Sequence, residues 1–366
     1  MVRILQIVPN MQAGGLENFI MNVYRNINRN KVQFDFLVHY QEQKHFDKEI
    51  EKLGGKIYRM TLRDDNNIFK YIKDLNKFYK DHPEYKIIHC HMSSIGFINF
   101  LVAKKNGINI RIAHSHNSNT EKNLKGFIKF LMLKPLKILS THNFACSTEA
   151  GKFLFGKKDF KIIPNAIEVE KYRFSSEIRK EGRKKLKIKD ELVIGHIGRF
   201  EQQKNHKYII DIFKEVLKEN PTAVLILAGN GNLFEKIKLY AYKMKVEKNI
   251  KFLGVVKDTY KLYQIMDCFI LPSFFEGLPV VGIEAQTSGV KCLFSNSITE
   301  EVKIIESSEF LDIGRENIDT WKEKILAIKK YDRESAYEKV KYTNYNIKIT
   351  AKEMEDFYIT TYQGDK

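Results

Sequence analysis

The chain has 366 residues, 43% of them hydrophobic, and 62 Lys+Arg against 45 Asp+Glu give a formal net charge of +17. That length exceeds one ordinary core and fits two domains, and the composition excludes a disordered or fibrous chain. Residues 1–170 carry 27 Lys+Arg and 16 Asp+Glu, the remainder 35 and 29, so the excess sits mainly in the first half; it suits an anionic partner (nucleic acid, an anionic membrane or a phosphorylated substrate) or simply a Lys-rich chain kept soluble by charge.

In chain order, MVRILQIVPN is a short apolar run into Pro and Asn, a first strand rather than a secretion signal. An amphipathic helix follows over Leu16–Ile27, then a strand in VQFDFLVHY, a helix over Phe46–Leu53, a turn and strand in GGKIYRM, and a helix over Ile68–Tyr79. KIIHCH is a strand, Ile95–Lys105 a helix, and IRIAHSH and HNFACS are strands, with KIIPNAI at the edge of the unit. This alternation predicts a parallel sheet covered by helices on both faces. The charged run EVEKYRFSSEIRKEGRKKLKIKDE is the natural linker into a second domain. The alternation then restarts with strands in LVIGHIG, TAVLILAG, NIKFLG, CFILPS and KCLFS, and helices over Asn205–Lys218, Leu233–Met244, Thr259–Met266 and Val280–Thr287. The tail, Asn346–Tyr362, is helical. No apolar run approaches the roughly 20 residues of a membrane span. Cys90, Cys146, Cys268 and Cys292 form no CxxC pair and suit reduced core thiols of a cytoplasmic protein.

Ligands of doubly wound sheets bind beyond the C-terminal strand ends, so the loops after strands carry the chemistry. In PNMQAGGLENF, Gly14 and Gly15 open a helix, where free amides attract anions; the alternative is an ordinary tight turn. The spacing fails the GxGxxG fingerprint, and Asp35 lies mid-strand, which argues against a nicotinamide enzyme. In HIGRFEQQKNH, Arg199 and Lys204 share one loop before a helix start and suit a pyrophosphate, against a bland reading as solvated surface charge. Gly229 and Gly231 read as loop geometry, and Gly254 to Val256 as backbone able to meet a base edge. In PSFFEGLPVVGIEAQTSG, Gly277 and Pro279 prevent one helix through both carboxylates: Glu276 lies in the loop and Glu284 inside the helix, either as acceptors for sugar hydroxyls or as complements of the helix dipole.

Glu-x7-Glu in that segment, with GRFEQQKN, IIPNAI and the early GG loop, resembles glycosyltransferase family 4, retaining enzymes of the GT-B fold, over nearly the whole chain and in the family's order. The wording GGLENFIMNVYRNI, AHSHNS and ACSTEAGKFLFG resembles the branch that builds bacterial exopolysaccharide and capsule. The resemblance implies an α/β architecture of two Rossmann-like parallel-sheet domains facing a central cleft. Residues 1–170 would bind the acceptor and 171–345 the nucleotide-sugar, and 346–366 would form a helix crossing back to the N-terminal domain. It implies that Glu284 binds ribose hydroxyls, that Glu276 sits near the donor sugar beside amides of Gly277, Leu278, Pro279 and Val280, and that Arg199 and Lys204 hold the diphosphate. Gly14 and Gly15 would abut the donor phosphate, with Gly254 and Val256 near the base. His116 matches the family histidine of the sugar site, with His114 its neighbour and Asn117 and Asn165 lining the cleft; Ala166 replaces the family's usual Gly after Asn165, a departure in backbone geometry.

The chain has no Asp-x-Asp to hold a divalent metal, so cations and helix ends are expected to carry the diphosphate, with no metal or other cofactor. The implied reaction moves a hexose or N-acetylhexosamine from a nucleoside-diphosphate sugar, UDP foremost, to a glycan or lipid-diphosphate-linked acceptor, with configuration retained. Residues 120–140 interleave Lys122, Lys125, Lys129, Lys134 and Lys137 with Phe127, Phe130, Leu131, Leu133, Leu136 and Leu139. That pattern suits an anionic membrane surface or a diphosphate lipid, hence a cytoplasmic enzyme peripheral to the membrane, or else a core helix with snorkelling lysines. The rival functions are a nucleotide-sugar epimerase, which would turn over donor without acceptor, and a nucleic-acid binder, whose polyanion affinity would ignore Glu276 and Glu284; the resemblance favours neither, and no nucleic-acid partner is expected.

Overall fold

The computed structural model describes residues 1–12, 14–60, 67–92, 95–116, 133–329 and 332–365. Asn117 and most of the basic segment 120–140 lie outside them. The described chain forms two units: residues 1–166 with 347–366, and residues 167–346.

The first unit holds β1 (Val2–Val8), β2 (Val32–Val38), β3 (Ile57–Arg59), β4 (Ile87–Cys90), β5 (Ile110–Ser115), β6 (His142–Ala145) and β7 (Lys161–Ile162). They form one parallel sheet in the order β3-β2-β1-β4-β5-β6-β7. Near-continuous apolar strands are what a sheet covered on both faces requires. Alternation along β1 shows it: Ile4 and Val8 join the core under the helix Gly15–Asn26, while Leu5 and Ile7 join Tyr71, Phe100 and Leu154 on the other face. The tail helix, Ile347–Gly364, belongs to this unit and lies against Gly15–Asn26, with Ile347, Ala351, Met354 and Tyr358 in its core.

The second unit holds β8 (Val193–Ile197), β9 (Val224–Ala228), β10 (Ile250–Gly254), β11 (Cys268–Leu271), β12 (Lys291–Ser295) and β13 (Glu309–Leu311), parallel in the order β10-β9-β8-β11-β12-β13. Two differences from the expectation stand out. The pattern does not end at β12, because β13 and the helix Ile318–Leu326 follow, with Trp321 fully buried and donating from Nε1 to Asp312 O at 2.9 Å. The charged run at 168–191 is not a linker. It forms the helices Val169–Tyr172 and Ser176–Lys185 of the second unit. Ser175 caps the longer helix by accepting from Ile178 N at 3.2 Å. Arg179 and Arg183 fasten it to Asp267 at 2.5 and 2.7 Å. Its basic face looked solvated because the carboxylate that holds it lies more than eighty residues away in sequence.

All four cysteines are buried free thiols. Among the described residues, no helix is long and apolar enough to cross a membrane.

Candidate active site

In each sheet the strand order reverses once, and in doubly wound sheets ligands bind beyond the C-terminal strand ends at such a reversal. In the second unit the reversal falls between β8 and β11. The loop after β8 carries Arg199 and Lys204, and the loop after β11 carries Glu276. Backbone and side chains lock the two loops together. Phe274 N donates to Gln203 O at 2.9 Å, Gln203 Nε2 to Phe275 O at 2.8 Å, and Asn205 Nδ2 to Pro272 O at 3.2 Å. Lys204 Nζ reaches Glu276 Oε1 at 2.6 Å, with their side chains 15% and 9% exposed. The motif residues assigned separate roles are thus an ion pair. Arg199 is exposed and makes no side-chain hydrogen bond or ion pair with the described residues. Glycine is needed close by: Gly229 adopts φ +134°, and a Cβ there would stand 1.9 Å from Gly198 O. Its amide donates to Gly254 O at 2.7 Å, which ties the loops after β9 and β10 to the same end of the sheet.

The helix Val280–Thr287 begins just beyond Glu276. Pro279 is its N-cap rather than a residue of its first turn. Leu278 packs into the core, with Val280 and Val256 partly buried against it. Glu284 is held by two phenols that the motif did not reveal: Tyr172 donates to Oε1 and Tyr263 to Oε2, each at 2.7 Å. Burial raises its carboxyl above the usual range, and the two tyrosine hydroxyls offset part of that rise. Each oxygen keeps a free lone-pair direction for a hydroxyl donor.

In the first unit the reversal falls between β1 and β4. Gly14 is the N-cap of the helix Gly15–Asn26, and Glu17 folds over it so closely that a Cβ on Gly14 would meet Oε2 at 2.3 Å; Gly15 faces open space. The ends of β4 and β5 bring four histidines together. His89 and His91 come from HCH and His114 and His116 from HSH, and strand alternation puts both pairs on one face. His91 Nδ1 lies 2.9 Å from His116 Nε2, and His89 Nε2 lies 3.2 Å from His114 Nδ1. His91 Nε2 meets Gln6 Oε1 at 2.9 Å, and His89 Nδ1 meets the Tyr358 hydroxyl at 2.7 Å. Burial holds all four imidazoles neutral, with His116 lowered to about 3. Asn165 lies beside His116 and counters a little of that shift, but His116 Nδ1 and Asn165 Oδ1 complete no hydrogen bond of standard geometry. The repeated His-x-His at two neighbouring strand ends was the available signal for His89 and His91; nothing local marks Gln6 or Tyr358.

The nitrogens of His89, His91 and His114 lie within 4.8 Å of one another, near enough to suggest a metal site. The ring geometry argues otherwise. An ion must lie in the plane of every imidazole that binds it, whereas His89 and His91 are stacked, 4.3 Å between centroids and 26° between planes.

Residues 178–347 match the family model of glycosyl transferases group 1. The putative glycosyltransferase EpsF of Bacillus subtilis (strain 168) is 33% identical over 310 residues, which cover 82% of this chain and 80% of that protein. The capsular polysaccharide biosynthesis glycosyltransferase CapH of Staphylococcus aureus is 28% identical over 309 residues, covering 81% and 82%. Among solved structures, Anabaena Alr3699/HepE in complex with UDP and glucose superposes with a TM-score of 0.78 at 15% identity, over 98% of this chain and 99% of that one. Two doubly wound parallel sheets and a terminal helix that completes the first unit are the parts of the GT-B fold. With a third of its residues shared along four fifths of EpsF, and the loops at the β8/β11 reversal inside the matched region, the chain belongs to the glycosyltransferases of group 1.

Proposed function

We propose that this protein is a metal-independent, retaining glycosyltransferase that moves a hexose or N-acetylhexosamine from a UDP-sugar to a hydroxyl of a growing cell-surface glycan, free or carried on a lipid diphosphate. The arrangement at the β8/β11 reversal carries the reading. An exposed guanidinium, a lysine held in place by Glu276 and the amides that open the helix Val280–Thr287 gather positive charge at one strand end. Departing diphosphate needs such charge. Glu284, fixed by two tyrosines, accepts from the ribose hydroxyls. The UDP and glucose bound by the HepE neighbour and the capsular role in the name of CapH support donor and pathway.

In this mechanism the bond between the anomeric carbon and the β-phosphate oxygen breaks as Arg199 and Lys204 stabilise the diphosphate. The acceptor oxygen bonds to the same face of the sugar, and its proton passes to the departing phosphate oxygen. Arg199→Ala is expected to lose about 10²-fold in rate, the typical loss of one transition-state donor. The test is a thermal-shift panel of UDP-, GDP- and ADP-sugars on the wild type and Glu284→Ala, followed by turnover in EDTA with the preferred donor. A UDP-sugar should raise the wild-type Tm, the variant should lose that rise, and EDTA should leave turnover unchanged. Activity abolished by EDTA and restored by magnesium or manganese would refute the metal-free account.

A further inference from the structure

The stretch Pro272–Glu276, just after β11, has little packing of its own to hold it. Phe274 and Phe275 are 44% and 49% exposed, yet the next residue, Glu276, is only 9% exposed. A segment with few buried apolar contacts depends on its hydrogen bonds for order. Those bonds come from three consecutive residues after β8. Asn205 Nδ2 reaches Pro272 O, and Lys204 Nζ reaches Glu276 Oε1. Gln203 contributes most. Its carbonyl accepts from Phe274 N at 2.9 Å, and its Nε2 donates both to Phe275 O at 2.8 Å and to Glu276 Oε2 at 3.3 Å.

The neighbours fix which way the Gln203 amide points. A peptide carbonyl and an ion-paired carboxylate are acceptors only, so both must face the NH2 group. Turned over, the amide would set its own oxygen against two acceptor oxygens. The consequence for Glu276 is a grip on both oxygens, Oε1 by Lys204 at 2.6 Å and Oε2 by Gln203. The last torsion of a glutamate is soft. A bond to one oxygen leaves the carboxylate free to turn about it, whereas bonds to both fix its plane.

We infer that Gln203 is a positioning residue for the transfer reaction: it fixes the plane of the Glu276 carboxylate and so aims the remaining lone pair of each oxygen at a hydroxyl of the donor sugar. The aim at a sugar rests on the nucleotide-sugar reading; the clamp does not. Presetting the carboxylate removes ordering that substrate binding would otherwise have to supply.

The test is calorimetric titration of the full-length protein with UDP and with the UDP-sugar it prefers. Gln203→Met keeps the side chain's length and the main-chain bond to Phe274 but removes both N–H donors. It should weaken UDP-sugar binding roughly tenfold, the equivalent of one hydrogen bond to a charged group, lower kcat as well, and leave UDP affinity unchanged, because UDP has no sugar for Glu276 to meet. Gln203→Glu, which sets a like charge against Glu276, should be worse than Gln203→Met. In a Glu276→Ala background Gln203→Met should change neither affinity. A residue that merely braces the loop would lower both affinities alike and would do so with or without Glu276; either result overturns the inference, as does UDP-sugar binding untouched by Gln203→Met. Should the wild type bind no nucleotide-sugar at all, the donor reading fails instead, and melting decides the clamp: Gln203→Met should lower Tm in the wild type and less in Glu276→Ala, and equal drops would refute it.

Discussion

Glu284 keeps a carboxylate where water is scarce, with one tyrosine hydroxyl on each oxygen. Because burial raises its pKa above the unfolded value, the folded state holds this proton more tightly than the unfolded chain does. Stability from this group is therefore greatest below its unfolded pKa of about 4.3 and is lost as pH rises through the folded pKa. At neutral pH the ionised carboxylate is a standing cost, of the kind that ligand sites commonly carry. Glu284→Gln removes the ionisation. Its Tm relative to wild type should be higher at pH 7.5 than at pH 4.5 even as donor binding is lost; a difference that stays constant across that interval would show that Glu284 is not destabilised by its surroundings. Both carboxylates of Glu-x7-Glu were legible in sequence, since Gly277 and Pro279 break the helix between them. Tyr172 and Tyr263 were not, because each is an ordinary aromatic of an amphipathic segment until the fold sets it beside Glu284.

At the scale of elements, the strands and helices with clean apolar periods were legible to within a residue or two, and the helix Val280–Thr287 was legible end to end. The helix Ser176–Lys185 was not, since only Arg183 along it is buried, and a lone buried arginine leaves no periodic trace. Its attachment is electrostatic. Arg183 is 8% exposed, donates to Asp267 Oδ2 at 2.7 Å, and satisfies its other protons on the carbonyls of Ile265, Lys189 and Glu191. Asp267 also accepts from Arg179 and from Val193 N at the start of β8, so one carboxylate joins helix to sheet. Asp267→Ala strands a buried guanidinium, which typically costs 3–5 kcal/mol; the three carbonyl partners place the expectation at the lower end, about 3 kcal/mol. Urea unfolding followed by tryptophan fluorescence of Trp321, which lies in the same unit, measures it. A loss below about 1 kcal/mol would mean that the pair behaves like a surface salt bridge.

At the scale of the whole chain, the two units are unequal in how they are threaded. The second is a single stretch, 167–346, whereas the first is built from both ends of the sequence. The two crossings leave side by side: Ile167 pairs with Asn346 in a parallel bridge, and Ile167 N donates to Tyr345 O at 2.9 Å. Residues 167–346 expressed alone should therefore fold and melt cooperatively. Residues 1–166 alone should not. They would lose Ile347, Met354 and Tyr358, each at most 2% exposed, together with the Tyr358 bond to His89 and the acceptance by Glu355 Oε2 from Asn28 N at 2.9 Å. Each large buried side chain removed costs roughly 2–5 kcal/mol, so three together approach the roughly 5–15 kcal/mol that stabilises a whole domain. Joining 347–366 to residue 166 through a flexible linker should restore a cooperative melt, because the cost of closing such a loop grows only slowly with its length. Circular dichroism melts of the three fragments decide the matter: if 1–166 unfolds as sharply and at the same temperature without the tail as with it, the terminal helix covers the first unit without holding it together.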